Sequence, residues 1–226
     1  MTARRPAALP AAAGAVFLVL MALGIWQMQR LAWKTDLIAR VDARVAAAPV
    51  PAPGPDEWAS LTADGAEYRR VMAAGEYIPD SDVLVQAVTE RGPGFWVMTP
   101  LATDQGWSVL VNRGFVAVDR RDDRPLPAGS QTITGLLRMS QPGGAFLRAN
   151  DPKAGRRYSR DTQAIAATLG LPDVAPYFID ADRAGEGQPV GGLTVIAFRN
   201  HHLSYALTWF AMAGGLVVLT AYALRR

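Results

Sequence analysis

Two long stretches without a charged side chain set the limits on how this chain folds. The first, PAALPAAAGAVFLVLMALGIWQMQ, fills the 24 positions between Arg5 and Arg30. The second fills the 25 positions between Arg199 and Arg225 and ends TWFAMAGGLVVLTAYAL. A helix needs about 20 predominantly apolar residues to cross the hydrocarbon core of a bilayer. Both stretches reach that length, and both carry Trp and Tyr near the ends that adjoin the central segment, where a membrane–water interface favours them. A soluble core helix so long and so free of charge is rare, so transmembrane helices are expected over 9–29 and 200–223. Arg4 and Arg5 also resemble the basic start of a cleaved signal peptide. The apolar stretch is long for one, however, and no small-x-small cleavage site follows it directly, so the uncleaved anchor is the favoured reading.

Two spans place the short ends, 1–8 and 224–226, on one side of the membrane and the central segment on the other. Charge counting leaves the side open. Arg4, Arg5, Arg225 and Arg226 favour cytoplasmic termini, whereas Arg30, Lys34, Arg40 and Arg44 pull the opposite way. Long domains cross largely regardless of charge, which tilts the reading toward an exported, extracytoplasmic domain.

After the first span, LAWKTDLIARVDARV reads as the same helix continuing into water, with Leu31, Ile38, Val41 and Val45 at roughly helical spacing. Prolines at 49, 51, 53 and 55 then impose an extended spacer, so 30–56 is a helix extension followed by a Pro-rich link. Over 57–199 the pattern is strand-like. Short runs at 68–77, 82–88, 95–101, 107–116, 132–139, 177–180 and 193–198 are separated by Gly, Pro, Asp and Asn. ATDQG, with Gly106 suited to a positive φ, predicts a hairpin turn. One helix is expected in SRDTQAIAATLGLP, capped by Ser159 or Asp161, ended by Gly170 and blocked by Pro172. The central domain is therefore β-rich, of α+β type, a small barrel or sandwich.

The chain has no cysteine, which excludes disulfides, thiol catalysis and cysteine metal sites. Its formal net charge is +3, and no Lys/Arg run interleaves with aromatics, so nucleic acid is not an expected partner. The only two histidines, His201 and His202, lie outside the strand-like region. Adjacent histidines on a helix point about 100° apart and cannot both face one ion, so a zinc site is not expected. Asp122 and Asp123 read as a solvated turn; a paired-carboxylate enzyme stays open on sequence alone, because spacing along a barrel says little about spacing in space. Asn112, Arg113 and Gly114, at a strand end, read either as a structural bulge or as a contact site.

On a helix His202, Tyr205, Ala206, Trp209 and Ala213 share one face. An imidazole beside aromatic and small residues suits a flat apolar macrocycle with iron at its centre: the His ligates, the rings flank, the alanines leave room. The same residues also suit an interfacial belt with no ligand. At the matching end of the first span Trp26, Arg30 and Trp33 share a face, on which Arg30 can lie between the rings as a cation–π partner. The two spans run antiparallel, so this face can oppose Arg199, His202, Tyr205 and Trp209. A cationic rim over an aromatic floor would seat a greasy ring with two carboxylates.

Four blocks resemble the surfeit locus protein 1 family. LGIWQMQRLAWK carries Leu23, Gly24, Trp26, Gln27, Arg30, Trp33 and Lys34 of the first; RGPGFWVMTPL with GWSVLVNRGFV forms the second; GLLR, Gly135 to Arg138, is the third; NHHLSYALTWF is the fourth. Order and spacing match from about residue 20 to 215. Phe115 stands where the family usually has Trp, and His201 where many members have Asn, so the family's histidine falls on His202 and His201 is an extra candidate. The resemblance implies a two-span inner-membrane protein, not an enzyme, with cytoplasmic termini and a periplasmic domain. It also implies a role as an assembly factor for cytochrome c oxidase that binds haem a transiently and helps place it in subunit I, with assembly intermediates and the haem a synthase as partners. Iron would be held only through haem, with His202 as axial ligand. Arg30, Lys34 or Arg199 would pair with the propionates. A haem-free membrane scaffold that stabilises unfinished oxidase is the alternative.

Overall fold

The computed structural model describes residues 8–143, 150, 157–183 and 187–225. Residues 1–7 and 226, in the expected terminal segments, lie outside the described residues. The chain divides into two compact units: Val41–Val195, and the terminal helices up to Arg40 and from Ile196 onward.

Seven strands build the first unit: β1 (Val50–Pro51), β2 (Arg70–Tyr77), β3 (Val83–Thr89), β4 (Gly92–Thr103), β5 (Ser108–Ala117), β6 (Gln131–Met139) and β7 (Val174–Ala181). β2, β6, β7, β5 and β4 pair in that order, and β4 returns to β2 through Gly75–Tyr77 against Leu101–Thr103. Of barrel and sandwich, the barrel forms: five strands close on themselves and remove the sheet edges. All five pairings are antiparallel except β5 with β7. On the edge away from β5, β4 serves two neighbours because it is long; its first half pairs with β3 and its last residues with β2.

Alternation along the strands sorts the side chains into two cores. Val109, Val111, Tyr177 and Ile179 fall in one, with Val71, Leu101 and Leu137. The intervening Leu110 and Phe178 fall in the other, with Met98 and Val85, where Ile165 and Ala166 of α4 (Thr162–Leu169) cover the sheet. Of the two caps expected for α4, Asp161 makes the bond, accepting from Ala164 N, and Gly170 ends the helix at φ 65°. The ATDQG hairpin forms with Gly106 at φ +86°.

The Pro-rich segment is extended, and it is docked. β1 runs parallel to β2 where β4 has left that edge, and the Pro53 carbonyl accepts from Tyr177 Oη at 2.7 Å and Trp58 Nε1 at 3.0 Å. Trp58, which ends the one-turn helix α2 (Pro55–Trp58), meets Trp107 edge-on at 5.8 Å. A second single turn, α3 (Ala63–Ala66), precedes β2.

The run 193–198 is not a strand. At the end of β5 the bridge is made by Val190, paired with Phe115, and Thr194 donates its hydroxyl to the Asp180 carboxylate.

The terminal unit consists of α1 (Ala8–Ala46), whose last residues from Val41 belong to the barrel unit, and α5 (His202–Arg225). Only 6% of the most apolar window of each helix is buried. Leu18, Val19, Ile25, Leu207, Val218 and Leu219 all stand open.

Candidate functional site

The less exposed positions of α1 include Leu20, Gly24, Gln27, Leu31, Lys34 and Ile38, spaced alternately four and three apart. On α5 they include His202, Ala206, Trp209, Ala213, Leu216 and Thr220, at the same spacing. Such a repeat forms one stripe along a helix. Three contacts set α1 and the segment 198–210 antiparallel. His202 Nδ1 lies 2.7 Å from Gln27 Oε1. Lys34 Nζ lies 5.1 Å from the Phe198 ring centre. The Phe210 ring lies over Gly24, where a Cβ would come within 2.4 Å of it. Glycine at that level is what admits the ring.

α1 therefore meets His202 with Gln27. Trp26 and Trp33 stand about half exposed at 51% and 49%, and Arg30 lies over Trp33 at 4.6 Å and not between the two rings. The expected opposition of the Trp26/Arg30/Trp33 face to His202 is thus corrected: at 100° per residue that face is centred about 110° from the α1 stripe. On α5, Tyr205 and His201 are displaced in the same rotational sense by about 60–100°. Between antiparallel helices equal senses fall on the same flank. Trp26, Arg30, Trp33, His201 and Tyr205 accordingly share one flank of the helix pair, while His202 and Trp209 lie in the seam. Tyr205 is 56% exposed, and Arg199 and His201 are exposed. Asn200 places a buried Oδ1 without a partner two residues before His202.

The seam and flank together hold two imidazoles, the rings of Trp26, Trp33, Tyr205 and Trp209, and the Arg30 cation. An imidazole with Nδ1 engaged keeps Nε2 for a metal. Sequence reasoning does not single out the Gln27 contact to His202 or the buried Asn200 Oδ1. The signal for Gln27 was its polarity inside an apolar span, one position from the marked Trp26.

The barrel carries its own polar hub. The Asp180 side chain is 3% exposed and accepts from Asn112 Nδ2 at 2.7 Å, Arg138 at 2.9 Å, Thr194 Oγ1 at 2.9 Å and Arg160 at 3.2 Å. Arg138 also reaches Glu67 at 2.7 Å and lies over Tyr68. Burial pulls the Arg138 pKa down, but Asp180 and Glu67 outweigh it and hold it above the usual guanidinium value. Arg160 is pushed below its usual value, by burial first, with Asp180 opposing and Arg138 adding repulsion. Both Asp180 oxygens are engaged, so the group is an anchor for three strands and the 193–195 segment. Asn112 and Arg113 are structural as well. Asn112 Oδ1 accepts from Gly114 N, and the Arg113 side chain, 5% exposed, donates to the carbonyls of Arg124 and Pro125. Gly114 takes φ +133° against the Val190 backbone, next to the bulge in which Arg113 is the extra residue of β5 opposite Val97 and Met98 of β4. Of bulge and contact site, the bulge is what these residues build. Among the described residues no three His, Asp or Glu side chains converge to hold a metal.

Residues 14–214 match the model of the SURF1 family. The chain belongs to the SURF1 family. It is 33% identical to Surfeit locus protein 1 of Mus musculus over 88% of this chain and 69% of that one, and 33% identical to the Homo sapiens protein over 88% and 71%. A SURF1-like protein of Rickettsia bellii is 27% identical over 90% of this chain and 85% of its own. The matched span takes in the barrel and the His202 end of α5, so the SURF1 family assignment covers the hub and the seam alike.

Proposed function

We propose that this SURF1 family member is a membrane-anchored assembly factor for cytochrome c oxidase, not an enzyme, that carries haem a as transient cargo toward subunit I. The single observation that carries the reading is the His202 imidazole, tied through Nδ1 to Gln27 beside an exposed aromatic–cationic flank. α1 and α5 cross the inner membrane; their large apolar side chains stand exposed around both helices, which lipid tolerates and water does not. The barrel then faces the periplasm, with both termini in the cytoplasm. His202 lies near the barrel-side end of α5, and Trp209 about 10 Å deeper at 1.5 Å per residue.

Haem a supplies an iron centre for a fifth ligand and two propionates for cations. His202 would ligate, Trp26, Tyr205 and Trp209 would cover the ring, and Arg30, Lys34 or Arg199 would meet the propionates. His201, exposed on the flank, is the second candidate ligand. A site open to the bilayer, with one histidine, suits a carrier that must release its cargo. The barrel would dock the oxidase intermediates or the haem a synthase.

The test is in cells that depend on this chain for oxidase. Replacing His202 by Ala is expected to lower the haem a content of subunit I while the protein still co-purifies with the intermediate. Unchanged haem a content with retained association would favour the haem-free scaffold.

A further inference from the structure

We infer that Gln27 is a positioning residue for His202: its side-chain carbonyl fixes the imidazole proton on Nδ1 and so presents Nε2 with its lone pair free. A neutral imidazole has one N–H and one bare nitrogen, and the hydrogen bond made by one decides the state of the other. Gln27 Oε1, an acceptor only, lies 2.7 Å from Nδ1, which therefore donates. The reversed carboxamide would turn its NH2 to a bare Nδ1, place the proton on Nε2 and close that nitrogen to iron. The orientation of one amide thus separates a ligating histidine from a blocked one.

Three features make the contact more than incidental. Gln27 sits on the α1 stripe, half-buried, between Gly24 and Leu31, with Leu20 beyond the first and Lys34 beyond the second. A lone carboxamide at such a level gains little unless it meets a partner, and His202 is the partner it meets. Gly24, one turn away, lets the Phe210 ring close over α1 and holds the two helices at this register. His201, the neighbouring imidazole, has no such bond and is exposed, so the two histidines are distinguished by Gln27 and not by their sequence position. Outer partners of metal-ligating histidines act in this way, fixing tautomer and ring plane and raising the basicity of the ligating nitrogen.

The consequence for haem rests on the function proposed above; the tautomer does not, and the experiment separates them. The chain has two histidines, so the full-length protein with 15N-labelled histidine gives two imidazole signals, assigned with His201→Asn. In detergent, without haem, His202 is expected as the Nδ1–H tautomer in the parent and in Gln27→Glu, and as a mixture in Gln27→Leu. With added haem, Gln27→Leu is expected to bind about 10–100-fold more weakly. Gln27→Glu should stay within a few-fold of the parent and lower the midpoint potential of the bound haem. The Glu variant controls for mispacking, since it keeps size and acceptor. An Nε2–H signal in the parent, or the same tautomer in parent and Gln27→Leu, would overturn the inference whatever haem does. Equal haem affinity and potential across the three proteins would overturn its functional half. The expected tautomers with no haem bound by any variant would support the positioning role and overturn the haem reading instead.

Discussion

Replacing Asp180 by Asn removes one charge from a buried hub and leaves two guanidinium groups facing each other. Arg138 and Arg160 have side chains 11% and 16% exposed, and Asp180 holds them at 2.9 and 3.2 Å. Glu67 still neutralises Arg138, so Arg160 is the cation left without a carboxylate. Breaking a buried pair by removing one partner costs about 3–5 kcal/mol, because the remaining charge has lost its solvent and gained nothing. A domain of this size loses roughly 2–4 °C of melting temperature per kcal/mol, so a fall of roughly 6–20 °C is expected. Thermal unfolding of the full chain in detergent, followed by the far-ultraviolet signal of the barrel, measures it. A second substitution, Arg160→Gln, should restore part of the loss, since it removes the stranded cation. A melting temperature within 2 °C of the parent, or a double variant lower than the sum of the singles, would refute the charge argument.

Two further outcomes follow from the barrel. The Tyr77 phenol is pushed up to about 12 by burial first, with Asp82 adding to the rise and Arg113 opposing it. The folded form therefore keeps its proton while the unfolded chain ionises near 10; stability is full below about pH 10 and is lost as pH rises toward 12, by about 2–3 kcal/mol. Denaturant midpoints across that window should fall less steeply in Tyr77→Phe, and equal slopes would reject the assignment. Gly114→Ala should cost about 3 kcal/mol or more, because φ is +133° and the new Cβ would meet the Val190 carbonyl carbon at 2.3 Å. Gly106→Ala, at φ +86° with open space around it, should cost about 1–2 kcal/mol, and its melting point relative to Gly114→Ala checks the difference.

The sequence was most legible where one physical signal dominated. Alternation gave the runs at 82–88, 107–116 and 132–139, which match β3, β5 and β6 to within two residues. Asp161 and Gly170 marked α4, and charge-free length marked the two terminal helices. The run 193–198 has the same apolar character as a strand, but the bridge to β5 is made by Val190 and Thr194 bonds Asp180, pairings set by tertiary structure that local pattern does not hold. Prolines announced an extended spacer; that Tyr177 would fasten it at Pro53 needed the fold. At the site, helical period groups His202, Tyr205, Ala206 and Trp209 on one face; in the structure His202, Ala206 and Trp209 lie in the seam and Tyr205 stands exposed on the flank. It could not tell seam from flank, so the tryptophans were set against His202 in the place that Gln27 holds. Asp180 gave no sign of its importance, since its four partners come from residues 112, 138, 160 and 194 and meet only once the barrel closes.

The central claim is that His202 ligates haem a. Its most direct test is the reduced-minus-oxidised visible spectrum of the protein purified in mild detergent from cells that make haem a, recorded for the parent, His202→Ala and His201→Ala. The account predicts a haem a band in the parent and in His201→Ala that is lost in His202→Ala. A band lost only in His201→Ala, or no band in the parent where haem a is plentiful, would contradict it.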